Sequence, residues 1–262
     1  MSLCKKEIQE KKLFIFDIDG TVKNGDKLVD HFLSFLETIE EKGKPYCFLS
    51  NNTSLSKTDH LKTLSKLLNR ELTTRHLFTP LDQIKNHLSK KSINKIYLLG
   101  TESVQSFFKE HGFELRDENP EAVVVTFDTS LDYQKLSTAS RLLMDPSVQF
   151  VLANKDLRCP TEFGFIPDAG SIANMLKATT DREVDYTGGK PSTEMIKSIL
   201  DTYGVGPDDC VFFGDRLYTD IPMGEAAGIL TVLVLTGETR LSDLGAENDM
   251  PVLGSYKELL DG

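Results

Sequence analysis

The chain has 262 residues, 39% of them hydrophobic, with 30 Lys+Arg against 40 Asp+Glu and a formal charge of −10. This length allows one or two domains with a real core, and the acid surplus excludes non-specific binding to nucleic-acid polymers, which needs a basic footprint. No apolar run approaches the ~18 residues of a membrane span, the N-terminal MSLCKKEIQEKK lacks a secretory h-region, and four dispersed cysteines (Cys4, Cys47, Cys159, Cys210) without a CxxC suit a reducing cytoplasm.

The first strand-like run, LFIF (13–16), is apolar without a break, as expected of a strand covered on both faces. It runs directly into Asp17-Ile18-Asp19-Gly20-Thr21. Carboxylates at the carboxyl end of a parallel strand sit where open α/β sheets place ligands. Alternation along an extended chain turns Asp17 and Asp19 to the same side. Charges so close repel unless a cation or a reaction uses them. The following VKNGDK (22–27) fits a small hairpin with a type I′ turn on Asn24-Gly25. Val29, Phe32, Leu33, Leu36 and Ile39 then recur at helical spacing, and Gly43 supplies the stop.

YCFL (46–49) is a second buried strand, followed by Ser50-Asn51-Asn52-Thr53. Hydroxyl, amide and free backbone N–H groups ahead of a helix beginning near Ser56 make an anion cradle, although the same residue types also cap helices. Strand-like runs recur at KIYLLG (95–100), AVVVTF (122–127) and QFVLA (149–153). In GGKPS (188–192), Lys190 after two glycines can reach a phosphate as a point charge. This is not a P-loop, because Val184 stands where that motif needs glycine and Pro191 follows the lysine. Met195, Ile196, Ile199, Leu200 and Tyr203 form a helical face with Pro191 near its start and Gly204 after its end. VFF (211–213) leads to Gly214-Asp215, with Asp220 five residues on, a pair able to hold a hard cation and orient its waters. LTVLVL (230–235) completes the pattern. The five histidines show no metal-ligand spacing.

Buried strands alternating with helices predict an α/β protein with parallel sheets. The best breaks fall near Pro80 and at 178–189, and the pattern alone leaves tandem and nested domains open. Together the strand ends supply a carboxylate nucleophile, an acid/base, a cation and oxygen ligands for a hard metal, which are the requirements of phosphoryl transfer.

In this order DIDGT, FLSNN, GGKP and GDRLYTD closely resemble the motif set of the haloacid dehalogenase (HAD) superfamily. The segment ANKDLRCPTEFGFIPDAGS (153–171) resembles its NagD-like or para-nitrophenyl-phosphatase subfamily, class IIA with a C2-type cap. The resemblance spans about residues 12–240. It implies a Rossmann-like core with a parallel sheet, built from 1–79 and 181–262, and an inserted α/β cap at 80–180.

The resemblance also implies roles. Asp17 would be the nucleophile, forming an aspartyl-phosphate, and Asp19 the acid/base. Mg²⁺ would be held by the carboxylates of Asp17 and Asp215 and the backbone carbonyl of Asp19. Ser50 and the backbone amides of Asn51 and Asn52 would grip the phosphoryl oxygens, Lys190 would neutralise the nucleophile–phosphate pair, and Asp220 would orient a metal-bound water. Asp156, Arg158 and Cys159 are candidates for touching the leaving group from the cap. Dehalogenase members lack the second aspartate, so Asp19 favours phosphate chemistry: expelling an alkoxide needs a proton donor and expelling halide does not.

The expectation is a cytoplasmic, Mg²⁺-dependent phosphatase acting on a small phosphorylated metabolite, without a nucleic-acid or membrane partner. Its oligomeric state is open, a homodimer included. The rivals are a phosphotransferase or mutase using the same intermediate, and a non-catalytic phosphometabolite-binding protein on the same fold.

Overall fold

The computed structural model describes residues 2–161, 163–245 and 250–260. The chain divides into two compact units. One comprises Met1–Ser50, Lys62–Phe78 and Lys190–Gly262; the other comprises Asn51–Leu61 and Thr79–Gly189.

The first unit holds a six-stranded sheet in the order Val252–Leu253, Leu230–Val234, Cys210–Gly214, Leu13–Asp17, Tyr46–Leu49, Leu77–Phe78. Every neighbouring pair is parallel. The continuous apolar runs follow from cover on both faces. Leu13 and Ile15 pack with Met195, Ile196 and Ile199 on one side. Phe16, on the opposite face, meets Phe32 edge-on at 5.2 Å between ring centroids and stacks on Phe213 at 5.0 Å. The helix Phe32–Glu41 buries Phe32, Leu36 and Ile39 of the face read from sequence, and Phe35 in addition, while Leu33 is only half-buried. Glu194–Tyr203 likewise buries Met195, Ile196 and Ile199 and ends at Gly204 with φ 66°. Pro191 lies in the turn before that helix.

The hairpin at 22–28 differs from expectation by one residue. Asn24 pairs with Lys27, so the two-residue turn is Gly25-Asp26 rather than Asn24-Gly25. Gly25 takes the positive φ of 58°. Asn24 belongs to the strand, and its side chain is occupied in donating to the Thr236 carbonyl at 2.8 Å.

The second unit holds five parallel strands in the order Tyr186–Thr187, Gln149–Leu152, Ala122–Val125, Lys95–Leu99, Glu114–Leu115. Alternate residues again face two cores. Ile96, Leu98, Val124 and Val151 meet Leu81, Ile84, Leu88, Val104 and Phe108. Leu99, Val123, Val125 and Phe150 meet Leu142, Leu143, Ile172 and Leu176. The unit extends past 180 because Tyr186–Thr187 adds a strand beside Gln149–Leu152. An antiparallel hairpin, Arg158–Thr161 with Gly164–Pro167, is a separate two-stranded element.

Candidate active site

Three neighbouring strands of the six-stranded sheet deliver polar residues at their carboxyl ends. Asp17 is the last residue of Leu13–Asp17, Ser50 follows Tyr46–Leu49, and Asp215 follows Cys210–Gly214. Asp220 opens the helix Asp220–Ala226. Asp17, Ser50, Lys190, Asp215 and Asp220 are all at most 5% exposed, so each charge here needs a partner.

Lys190 provides part of the compensation. Its ammonium donates to Asp17 Oδ1 and lies 2.7 Å from Asp220 Oδ1. The other oxygen of Asp220 accepts the backbone N–H groups of Asp215 and Arg216 at 3.0 and 3.1 Å. Asp220 thus holds both the lysine and the turn that carries Asp215. Gly214 makes this possible, because a Cβ there would strike the Asp220 side chain, its Cγ at 2.6 Å.

The Asp215 carboxylate is packed between Gly20 and Gly237, where a Cβ at either position would collide with it. Its Oδ2 accepts the Glu238 N–H at 2.6 Å. Its Oδ1 is buried and has no hydrogen-bond partner among the described residues. Thr236 Oγ1 donates to the Gly20 carbonyl at 2.7 Å, tying the same loop to the turn after Asp17.

The electrostatics show a shortage of positive charge. Burial pushes Asp17 well above the usual carboxylate range; Lys190 opposes that shift, while Asp220 and Asp215 add to it. Asp215 is pushed up to about 7 by burial and by Asp220. Burial alone would lower Lys190, but Asp17 and Asp220 outweigh it and hold the ammonium above its ordinary value. Arg216, nearby in the sequence, has its Nε 3.1 Å from Glu238 Oε2. One oxygen each of Asp17, Asp215 and Asp220 lies within 4.8 Å of the others. Hard carboxylate oxygens at this spacing, one of them orphaned, fit Mg²⁺.

Asp19 is placed differently. It is partly exposed and its carboxylate pairs with Lys23 at 2.5 Å. Lys23 has no signal in the sequence, because the pairing depends on the hairpin turning back.

The remaining predicted residues belong to the second unit. Asn51 Nδ2 donates to Asp156 Oδ1 at 3.1 Å, with Asp156 only 6% exposed. Asn52 Oδ1 accepts from the N–H and hydroxyl of Ser54 at 2.9 and 2.7 Å, an Asx-type turn. Arg158 and Cys159 lie on the hairpin; the Arg158 guanidinium sits 4.2 Å from the Phe165 ring centroid, and Cys159 is half-buried. Glu238, Gly237 and Thr236 were missed in the sequence, since each acts on a group more than twenty residues away in the chain, through a backbone N–H, a missing Cβ and a side-chain hydroxyl respectively.

A doubly covered parallel sheet with a buried Asp/Lys cluster at the carboxyl end of its central strands defines a Rossmann-like α/β core with a ligand site at those strand ends. Residues 14–114 match the family model of haloacid dehalogenase-like hydrolases, and 187–259 match the HAD-hydrolase-like model. The 4-nitrophenylphosphatase of Thermotoga maritima is 36% identical, with a TM-score of 0.89 and 97% of each chain covered. NagD of Escherichia coli K-12 is 26% identical, with a TM-score of 0.81 over 95% of this chain and 98% of that one. The 5′-nucleotidase YutF of Bacillus subtilis is 28% identical over 92% of this chain and 93% of its own. The chain belongs to the haloacid dehalogenase-like hydrolases, among the NagD-like phosphatases. Among the described residues, no helix is long and apolar enough to cross a membrane.

Proposed function

We propose that the chain is a cytoplasmic, Mg²⁺-dependent phosphatase of small phosphomonoesters that works through an aspartyl-phosphate. The observation that carries this reading is the buried Asp17–Lys190–Asp220 triad beside the orphaned Asp215 oxygen. Asp17 and Asp215 would hold Mg²⁺ together with the Asp19 carbonyl. The bound ion would supply charge for the phosphoryl oxygens and bring the anion to a site lined by carboxylates.

A carboxylate oxygen of Asp17 attacks phosphorus while the ester bond to the leaving oxygen breaks. Asp19 gives that oxygen its proton, and the alcohol departs. Asp19 then takes a proton from water as the water attacks phosphorus, releasing inorganic phosphate and restoring Asp17. Lys190, fixed by Asp220, neutralises Asp17 as charge gathers on the phosphoryl group. Ser50 and the N–H groups of Asn51 and Asn52 grip the phosphoryl oxygens. The inserted unit serves as the cap, and Asp156, Arg158 and Cys159 are its candidates for choosing the leaving group.

The relatives named for 4-nitrophenyl phosphate and for 5′-nucleotides support a small phosphorylated substrate. The charge of −10 makes the attraction local, resting on the cation, Lys190 and backbone amides. The test is hydrolysis of 4-nitrophenyl phosphate with and without Mg²⁺. Asp17→Asn should abolish turnover and leave folding intact; retained turnover would remove Asp17 as nucleophile.

A further inference from the structure

Asn154 is fully buried, carries charge of neither sign, and has no part in the chemistry just described. It stands two residues beyond the strand Gln149–Leu152 of the second sheet. Its side chain is nevertheless fully engaged. Nδ2 donates to the Asn51 carbonyl at 2.9 Å and to Thr53 Oγ1 at 3.1 Å, and Oδ1 accepts the Asp156 N–H at 2.9 Å. Three further contacts converge on the same short segment. The Phe127 N–H donates to Thr53 Oγ1 at 2.9 Å. Asp156 accepts from the Asn51 side chain. A Cβ on Gly189 would lie 2.7 Å from Asn51 Oδ1 and 3.2 Å from Asn154 Cβ. The ends of three adjacent strands therefore clamp residues 51–53, over a hundred positions from Asn154 in the chain.

The clamp acts on a particular peptide group. The carbonyl of Asn51 and the N–H of Asn52 share one planar trans unit, in which they point in opposite directions. Holding the carbonyl from one side fixes the direction of the N–H on the other. The Asn52 side chain cannot take over that task, because its oxygen is turned back onto Ser54. We infer that Asn154 is a positioning residue for the reaction: it fixes the Asn51–Asn52 peptide so that the Asn52 N–H is preorganised to receive a phosphoryl oxygen. This rests on the reading of Ser50, Asn51 and Asn52 as the anion grip. The chemistry demands a neutral side-chain amide, since a carboxylate in the same place has no N–H to donate and would face the Asn51 carbonyl with like charge.

Isothermal titration of the full-length protein tests this, with inorganic phosphate as the probe at saturating Mg²⁺, and with Mg²⁺ alone as the reference. Asn154→Asp and Asn154→Ala should each raise the phosphate dissociation constant tenfold or more, while the Mg²⁺ dissociation constant moves less than twofold. If the buried carboxylate of Asn154→Asp prevents folding, Asn154→Ala decides, because it leaves the Asn51 carbonyl free to take a water. Ser50→Ala separates the positioning role from the anion grip. If Ser50→Ala weakens phosphate binding and the Asn154 variants do not, the positioning role is overturned while the grip stands. If Ser50→Ala leaves phosphate binding unchanged, the grip itself is overturned. Equal losses of phosphate and Mg²⁺ affinity in the Asn154 variants would mean general damage and would also overturn the role.

Discussion

The Lys190 ammonium lies 2.7 Å from Asp220 Oδ1, with both side chains at most 1% exposed. Because the same ammonium also donates to Asp17, one cation serves two buried carboxylates. Removing one partner of a buried ion pair costs more than the pair contributes, since the remaining charge is left uncompensated.

Lys190→Met keeps length and removes charge. In metal-free protein it should cost about 3–5 kcal/mol of stability, measured by urea unfolding. Added Mg²⁺ should recover part of that loss, so the Mg²⁺-induced gain should be larger in the variant than in the parent. An equal gain in both would mean that lysine and cation do not share a charge-balancing role.

Gly237→Ala isolates a steric effect, because Gly237 is not among the positive-φ glycines. The added methyl would meet the Asp215 carboxylate and approach Gly20 Cα to 2.6 Å. Mg²⁺ affinity should fall at least tenfold, read by calorimetry, because Asp215 must move. Gly25→Ala is the contrast: its Cβ meets nothing within 4 Å, but φ is +58°. It should cost about 1 kcal/mol of stability through backbone strain and leave Mg²⁺ affinity unchanged.

What could be read from the sequence divides along physical lines. Strands such as Leu13–Asp17 and Ala122–Val125 were legible because two covered faces leave an unbroken apolar run. Edge strands Leu77–Phe78, Glu114–Leu115 and Tyr186–Thr187 were not, since two residues carry no period and exist through pairing. Asp17 and Asp215 were legible as charges placed against apolar strands, and Asp220 by its spacing five residues beyond Asp215. Asn154 and Glu238 were not: Asn154 holds a carbonyl over a hundred positions away, which no local pattern reveals, and Glu238 offers a backbone N–H that does not depend on its residue type. The hairpin slipped by one residue because Asn24 is drawn into the Thr236 contact, which only the fold supplies.

Tyr256 is wholly buried among Phe16, Phe32, Phe35 and Phe213, with ring centroids 5.2–6.5 Å away. Its hydroxyl has no hydrogen-bond partner among the described residues. Tyr256→Phe keeps the ring contacts and deletes the unpaired group, so stability should be unchanged or rise by up to about 1 kcal/mol. Tyr256→Ala should lose about 3–5 kcal/mol by opening a cavity. A clear loss in Tyr256→Phe on chemical denaturation would show that the hydroxyl is satisfied by water.

Metal binding and pH should be linked through the same carboxylates. Burial holds Asp17 well above the usual range and Asp215 at about 7 in the metal-free protein. An acid whose folded pKa is raised binds more protons folded than unfolded between about pH 4, the ordinary carboxylate value, and its folded pKa. Its contribution to stability is therefore complete below about pH 4 and is lost as pH rises toward 7. Mg²⁺ reverses the balance, because it binds the ionised carboxylates and must displace their protons. The increase in melting temperature produced by a fixed excess of Mg²⁺ should grow from pH 5 to pH 8, and binding at pH 6 should release protons measurable as a buffer-dependent heat. Asp215→Asn should flatten the pH dependence. A Mg²⁺ increment that stayed constant across that range would mean the cation binds elsewhere than on these buried acids.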